Sequence, residues 1–130
     1  MGVSIASCAG VVLGMGFETH AASSAANAQA RREAARVTTR FLSALDQGRY
    51  GQACSLLAHQ FYSRHHVPGR KQCVAGLRVG MAGSAVKFRI TGVEAQQNSA
   101  RVHAVVDGAP GTVTLIRESG SFRVLDQQAA

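Results

Sequence analysis

The sequence predicts an α+β domain in which three helices precede a four-stranded antiparallel sheet. Two observations carry this. Apolar residues recur at steps of three and four as far as about residue 79, then alternate with polar ones after Gly83. The alternating runs are mostly joined by short Gly-containing turns, which suits a meander with one buried face against which the helices pack.

Each element has its own signal. Ala34, Val37, Phe41, Leu42 and Leu45, with Arg32, Arg36, Arg40 and Ser43 between them, describe an amphipathic helix of about 16 residues beginning near Arg31, and Gly48 stops it. A second helix reads Tyr50, Ala53, Cys54, Leu57 and Phe61 on one stripe. Pro68-Gly69 breaks the chain, and a third helix over about 70–79 presents Cys73, Val74 and Leu77. The strands carry Val86, Phe88 and Ile90; then Val102, Ala104 and Val106; then Val113 and Leu115; and finally Phe122 and Val124. The turns between the last three are Asp107-Gly108-Ala109-Pro110-Gly111 and Ser119-Gly120.

Composition narrows the function classes. At 130 residues, 46% apolar and 16% charged, the chain suits one domain. Aromatics are 5% and Trp is absent, which disfavours base-stacking platforms and with them nucleic acid as a partner. The net charge is +7, from 14 basic residues (12 of them Arg) against 7 acidic ones.

The amino terminus has the character of an export signal. The 15 residues from Val3 to Phe17 are uncharged and mostly small or apolar, too short as a helix for the ~30 Å hydrocarbon core of a bilayer. Thr19-His20-Ala21 and Ala28-Gln29-Ala30 are small-x-small cleavage sites. No Lys or Arg precedes the apolar run, and the alternative is a disordered or weakly anchored tail. Residues 1–30 are thus expected to be a signal or apolar segment plus a flexible Ala/Ser/Asn/Gln linker, with the domain over 31–127. Any membrane association would run through this first segment. Ile5-Ala6-Ser7-Cys8 also matches a lipobox, although most of the apolar run follows Cys8 instead of preceding it.

Export would remove Cys8 and leave Cys54 and Cys73, an even count that suits a disulfide in an oxidising compartment. Such a bridge would close a loop of about 20 residues, worth ~3 kcal/mol in the chain-entropy model. Two unpaired core thiols are the alternative.

The run from Phe41 to Leu57, with Asp46-Gln47-Gly48-Arg49-Tyr50 and Ala53-Cys54-Ser55-Leu56-Leu57 at its centre, resembles small exported actinobacterial domains of the nuclear-transport-factor-like type, a group that includes SnoaL-like and ketosteroid-isomerase-like proteins. Cys73 at the opening of the third helix and Ser121-Phe122-Arg123-Val124-Leu125 near the end extend the similarity over about residues 34–126. The resemblance implies a cone: a curved sheet wrapping three helices, with a cavity between them. It also implies either a non-catalytic binding or accessory module or a cofactor-free isomerase, cyclase or dehydratase. Fold by itself does not choose between them.

An enzyme of this type needs an acid/base in an apolar cavity. The inward positions offer none. The expected pocket lining is Phe41, Leu45, Leu57, Phe61, Phe88, Val102, Val106 and Leu115, all apolar. Asp46, Asp107 and Asp126 fall at element ends, where capping and turn roles are the default. His59, His65 and His66 lie close together without a neighbouring carboxylate and lack the spacing of helical zinc sites, so neither metal nor cofactor is expected. Arg64, Arg70 and Lys71 cluster near the Pro68-Gly69 break, and Lys87, Arg89, Arg101 and Arg123 fall on the outer sheet face. Without residues 1–30 the charge rises to +8, because Glu18 leaves and no base does. A basic surface of this kind attracts polyanions and anionic headgroups. The expected role is an exported binding or accessory module of the cell envelope. Its partners would be an acidic envelope component or a small apolar ligand, and a homodimer is left open.

Overall fold

The computed structural model describes residues 25–129. The expected signal, lipobox and first cleavage site, up to residue 24, lie outside them. Helix α1 occupies residues 25–46, α2 Tyr50–Ser55, α3 His59–Arg64 and α4 Arg70–Met81. Strands β1 Phe88–Ala95, β2 Ser99–Val106, β3 Ala109–Glu118 and β4 Ser121–Ala129 follow. They form one antiparallel sheet in the order β1-β2-β3-β4. The α+β meander read from the sequence is therefore the fold.

The core lies between α1 and the inner sheet face. Leu42, Val102, Leu115 and Phe122 are fully buried, and Val113 and Val124 pack with them. Buried and exposed residues alternate along β2, the pattern expected of a sheet with one covered face. Two bulges interrupt the ladders, one on β1 between Ile90 and Gly92 and one between β3 and β4 at Thr114/Leu115. Each bends its strand. The first also returns Val93 and Ala95 to the inner side, so β1 runs farther than the alternation over 86–91 indicates.

Both tight hairpins are two-residue turns. Asp107 (φ 51°) and Gly108 (φ 82°) join β2 to β3, and Ser119 (φ 51°) and Gly120 (φ 84°) join β3 to β4. Two successive positive φ values define the type I′ turn, whose twist matches that of the flanking strands. The first turn is shorter than the five residues read from the sequence, because Ala109 to Gly111 already belong to β3. Pro110 is tolerated there because it pairs with Val105 of β2, while β4 joins only from Gly111 onward.

Two helical expectations need correction. The flexible segment proposed for 21–30 is helical from residue 25, through the second small-x-small site, and Ala30 is already buried in the core. Its Ala-rich composition suits a linker, but Ala is also the strongest helix former. The single helix read from Tyr50 to Phe61 is broken in two. Leu57 forms a parallel bridge to Val124, with the Ala58 N–H donating to the Val124 carbonyl (2.7 Å) and the Val124 N–H to the Leu56 carbonyl (2.8 Å). Residues 56–58 thus act as a short fifth strand along β4. Strand pairing at the sheet edge overrides a helical apolar stripe.

Cys54 of α2 and Cys73 of α4 are disulfide-bonded, with Cα atoms 6.1 Å apart. Both are buried, and the bond ties the broken helical segment to α4.

Candidate functional site

An open cleft of about 590 Å³ lies where the disulfide-linked helices meet the β3–β4 hairpin. Its floor is the end of α2 and the start of the short strand, at Cys54, Ser55 and Leu57. One wall is α3 and the loop into α4, with Tyr62 and Val67 to Arg70. The other is Glu118, Ser119 and Arg123. The volume falls in the range of small-molecule sites.

The cleft exists because α2 ends early. A six-residue helix leaves most of its carbonyls without intrahelical partners. Three side chains from other elements supply donors. Arg70 Nη2 donates to the Gly51 carbonyl at 2.8 Å, Tyr62 Oη to the Cys54 carbonyl at 2.7 Å, and Arg123 Nη1 to the Ser55 carbonyl. Arg123 stands at the carboxyl end of α2 and complements its dipole, whereas Arg70 reaches Gly51 in the first turn. Burial raises the Tyr62 phenol above its ordinary value, with Arg70 beside it acting in the opposite direction. The hydroxyl therefore stays a donor.

Glu118 closes the other side. Its carboxylate accepts the backbone N–H of His59 (2.7 Å) and of Gln60 (3.3 Å), so a residue 59 positions away in sequence caps α3. Nothing local could have announced this, since Ala58 at the cap position has no side-chain acceptor. Glu33 of α1 has a matching role at the same hairpin. It pairs with Arg117 at 3.1 Å and accepts the Phe122 N–H at 3.0 Å. The sequence reading missed Glu33, Glu118 and Arg117. The one available signal was that acids are scarce, so each was worth placing.

Of the residues expected to line a pocket, Leu57 lines this cleft. Phe41, Leu45, Val102 and Leu115 are closed into the core, with Phe61 and Phe88 partly buried against it. Val106 borders a smaller depression of about 290 Å³ at the β2–β3 turn. The basic residues separate. Arg70 and Arg123 face the cleft, Arg64 and Lys71 are exposed beside it, and Lys87 and Arg89 are exposed near the start of β1. Arg123 is thus no free outer-face charge: its guanidinium is turned onto Ser55, and the residue is half-buried.

On the outer sheet face, Arg101 and His103 of β2 both reach Glu94 of β1, at 3.0 and 2.6 Å, and the other His103 ring nitrogen lies 3.2 Å from Thr112 Oγ1 of β3. The His103 hydrogen bond and the Arg101 charge hold the Glu94 carboxyl below its ordinary value.

The aspartates have structural partners. Asp46 accepts the Val86 N–H, Asp107 the Lys87 N–H, and Asp126 the Gln127 N–H. Among the described residues, no group of three or more His, Cys, Asp or Glu is placed to hold a metal ion. His65 packs on the Phe61 ring (centroids 4.4 Å apart) and His59 borders the cleft. No helix among the described residues is long and apolar enough to cross a membrane.

No protein-family profile and no curated protein sequence matches the chain. Solved structures do. A protein of unknown function with a cystatin-like fold from Nostoc punctiforme superposes with a TM-score of 0.57 at 12% identity, over 75% of this chain and 86% of that one. A dehydratase candidate of the NTF2-like family from Streptomyces avermitilis gives 0.55 at 14% identity, over 75% and 93%. Aln2 from a Streptomyces species gives 0.54 at 15% identity, over 75% and 87%. Helices packed on an open four-stranded sheet and these likenesses together define a domain of the NTF2-like fold. At such identities they establish the fold alone.

Proposed function

We propose that this chain is an exported, non-catalytic binding or accessory module of the cell envelope, and that the cleft between the disulfide and the β3–β4 hairpin is its contact site. One observation carries the reading. Among the described residues, the buried side chains include no carboxylate, imidazole or ammonium; the buried polar groups are the Thr38 and Tyr50 hydroxyls. Acid/base chemistry of the isomerase or dehydratase type needs a titratable group inside an apolar cavity. The ionisable groups that border the cleft are instead mostly committed to the backbone: Glu118 caps α3, while Arg70, Tyr62 and Arg123 satisfy α2. Export is supported by the disulfide, a bond that persists in oxidising compartments.

Expression of the full chain with its own amino terminus, followed by fractionation and intact-mass measurement, tests the proposal. The expected product is extracytoplasmic, shortened at its amino terminus and two mass units lighter than its reduced form, as one disulfide requires. A cytoplasmic protein retaining Met1 or Gly2, with both thiols free, would overturn it. The competing reading, a small isomerase, cyclase or dehydratase, would gain from turnover that is lost on replacing a cleft residue such as His59.

A further inference from the structure

We infer that the cleft is an oxyanion site, taking a carboxylate or phosphate monoester whose compact apolar body lies against Tyr62, Val67 and Pro68. The inference rests on the cleft being the contact site and adds the class of ligand.

The charge on the two walls is unbalanced. Arg70 of α4 and Arg123 of β4 both line the cleft, against one carboxylate, that of Glu118. Both Glu118 oxygens already accept backbone N–H groups, so its charge is partly neutralised by α3. Each arginine makes one hydrogen bond to a described residue, through Nη2 of Arg70 and Nη1 of Arg123. A guanidinium carries five N–H donors in a planar fork. One bond to a carbonyl therefore anchors each fork and leaves donors for a second acceptor. Two anchored forks facing one cleft form a preorganised receptor for an anion with two or three oxygens. Exposed Arg64 and Lys71 beside the cleft add long-range attraction. The apolar part of the wall, Val67 and Pro68 with the Tyr62 ring, leaves room for a small ring or short chain.

Amide chemical-shift titration of the full chain tests this, with phenyl phosphate, inorganic phosphate, benzyl alcohol and vesicles containing phosphatidic acid, a lipid phosphate monoester, as probes. Phenyl phosphate is expected to shift the amides of Ser55, Tyr62, Arg70 and Ser119 together. Inorganic phosphate should shift the same set with about tenfold weaker affinity, and benzyl alcohol should leave it unmoved. Arg70→Gln should weaken phenyl phosphate about tenfold, whereas Arg89→Gln should leave affinity unchanged. If Arg70→Gln does not fold, the wild-type shift map decides alone. Vesicles that broaden the same amides, reversed by phenyl phosphate, identify a lipid headgroup as the source; inert vesicles identify a free anion, and either result keeps the site. Shifts spread over Lys87, Arg89 and Arg101, equal binding of benzyl alcohol, or an unchanged Kd in a folded Arg70→Gln would overturn it. Turnover of a bound probe would instead sink the non-catalytic reading while leaving the oxyanion site in place.

Discussion

Glu33 and Arg117, 84 residues apart in sequence, meet at 3.1 Å and join α1 to the β3–β4 hairpin. Each has further tasks. The Arg117 guanidinium lies 4.1 Å from the centre of the Phe122 ring and also donates to the carbonyls of Gln97 and Gly120. Glu33 accepts from the Phe122 backbone. Both side chains are about three-quarters shielded, at 24% exposure, so the pair is screened less than a surface one. Removing one partner leaves the other short of bonds. Glu33→Ala is expected to cost about 1–3 kcal/mol by urea denaturation. In a double-mutant cycle, Glu33→Ala and Arg117→Met should couple by ~1 kcal/mol.

The disulfide restrains a segment whose helical pattern is already broken by the sheet. Replacing Cys54 and Cys73 together by Ala should lower stability by about 3 kcal/mol, most of it through a freer unfolded chain. Because both cysteines are buried, a mild reductant should open the bond only when denaturant is also present. Thiol counting with and without denaturant checks this.

Glu94 makes the outer sheet face sensitive to acid. Its carboxyl is held below the ordinary value, so the folded state binds the proton less readily than the unfolded chain. The stability this contributes is present above the unfolded value of ~4.3 and is lost as the pH falls through the lower folded value. Glu94→Gln should flatten that acidic limb while changing little at neutral pH. High salt should have a similar, partial effect, because the side chain is more than half exposed. Thermal melts between pH 3 and 7 check both expectations.

Two backbone positions predict effects of opposite sign. Ala82 caps α4 in the left-handed region, at φ 48°, where a β-carbon is disfavoured. Ala82→Gly should add about 0.5 kcal/mol. Gly111 sits where a β-carbon would lie 2.9 Å from the Gln128 carbonyl oxygen of β4. Gly111→Ala must push two strands apart and should cost about 1–3 kcal/mol by the same denaturation measurement.

Local chemistry accounts for what was legible in the chain. Element types and their order follow from apolar periodicity, and the places of the two hairpin turns from Asp107-Gly108 and Ser119-Gly120, because both signals involve residues that are neighbours in sequence. The sequence makes the first turn three residues too long, since Ala109 to Gly111 pair in β3. The cysteine pair was legible from parity and from the resemblance, and the fold class followed from the same pattern. Tertiary structure decided the rest. A stripe from Tyr50 to Phe61 cannot show that β4 will claim residues 56–58, because the pairing partner lies more than 60 positions away. Nor can Glu33, Arg117 or Glu118 reveal which distant N–H or guanidinium each will meet. The cleft belongs to this second kind: Tyr62 and Arg123 are held by the Cys54 and Ser55 carbonyls where α2 stops short, and that depends on the path of the folded chain.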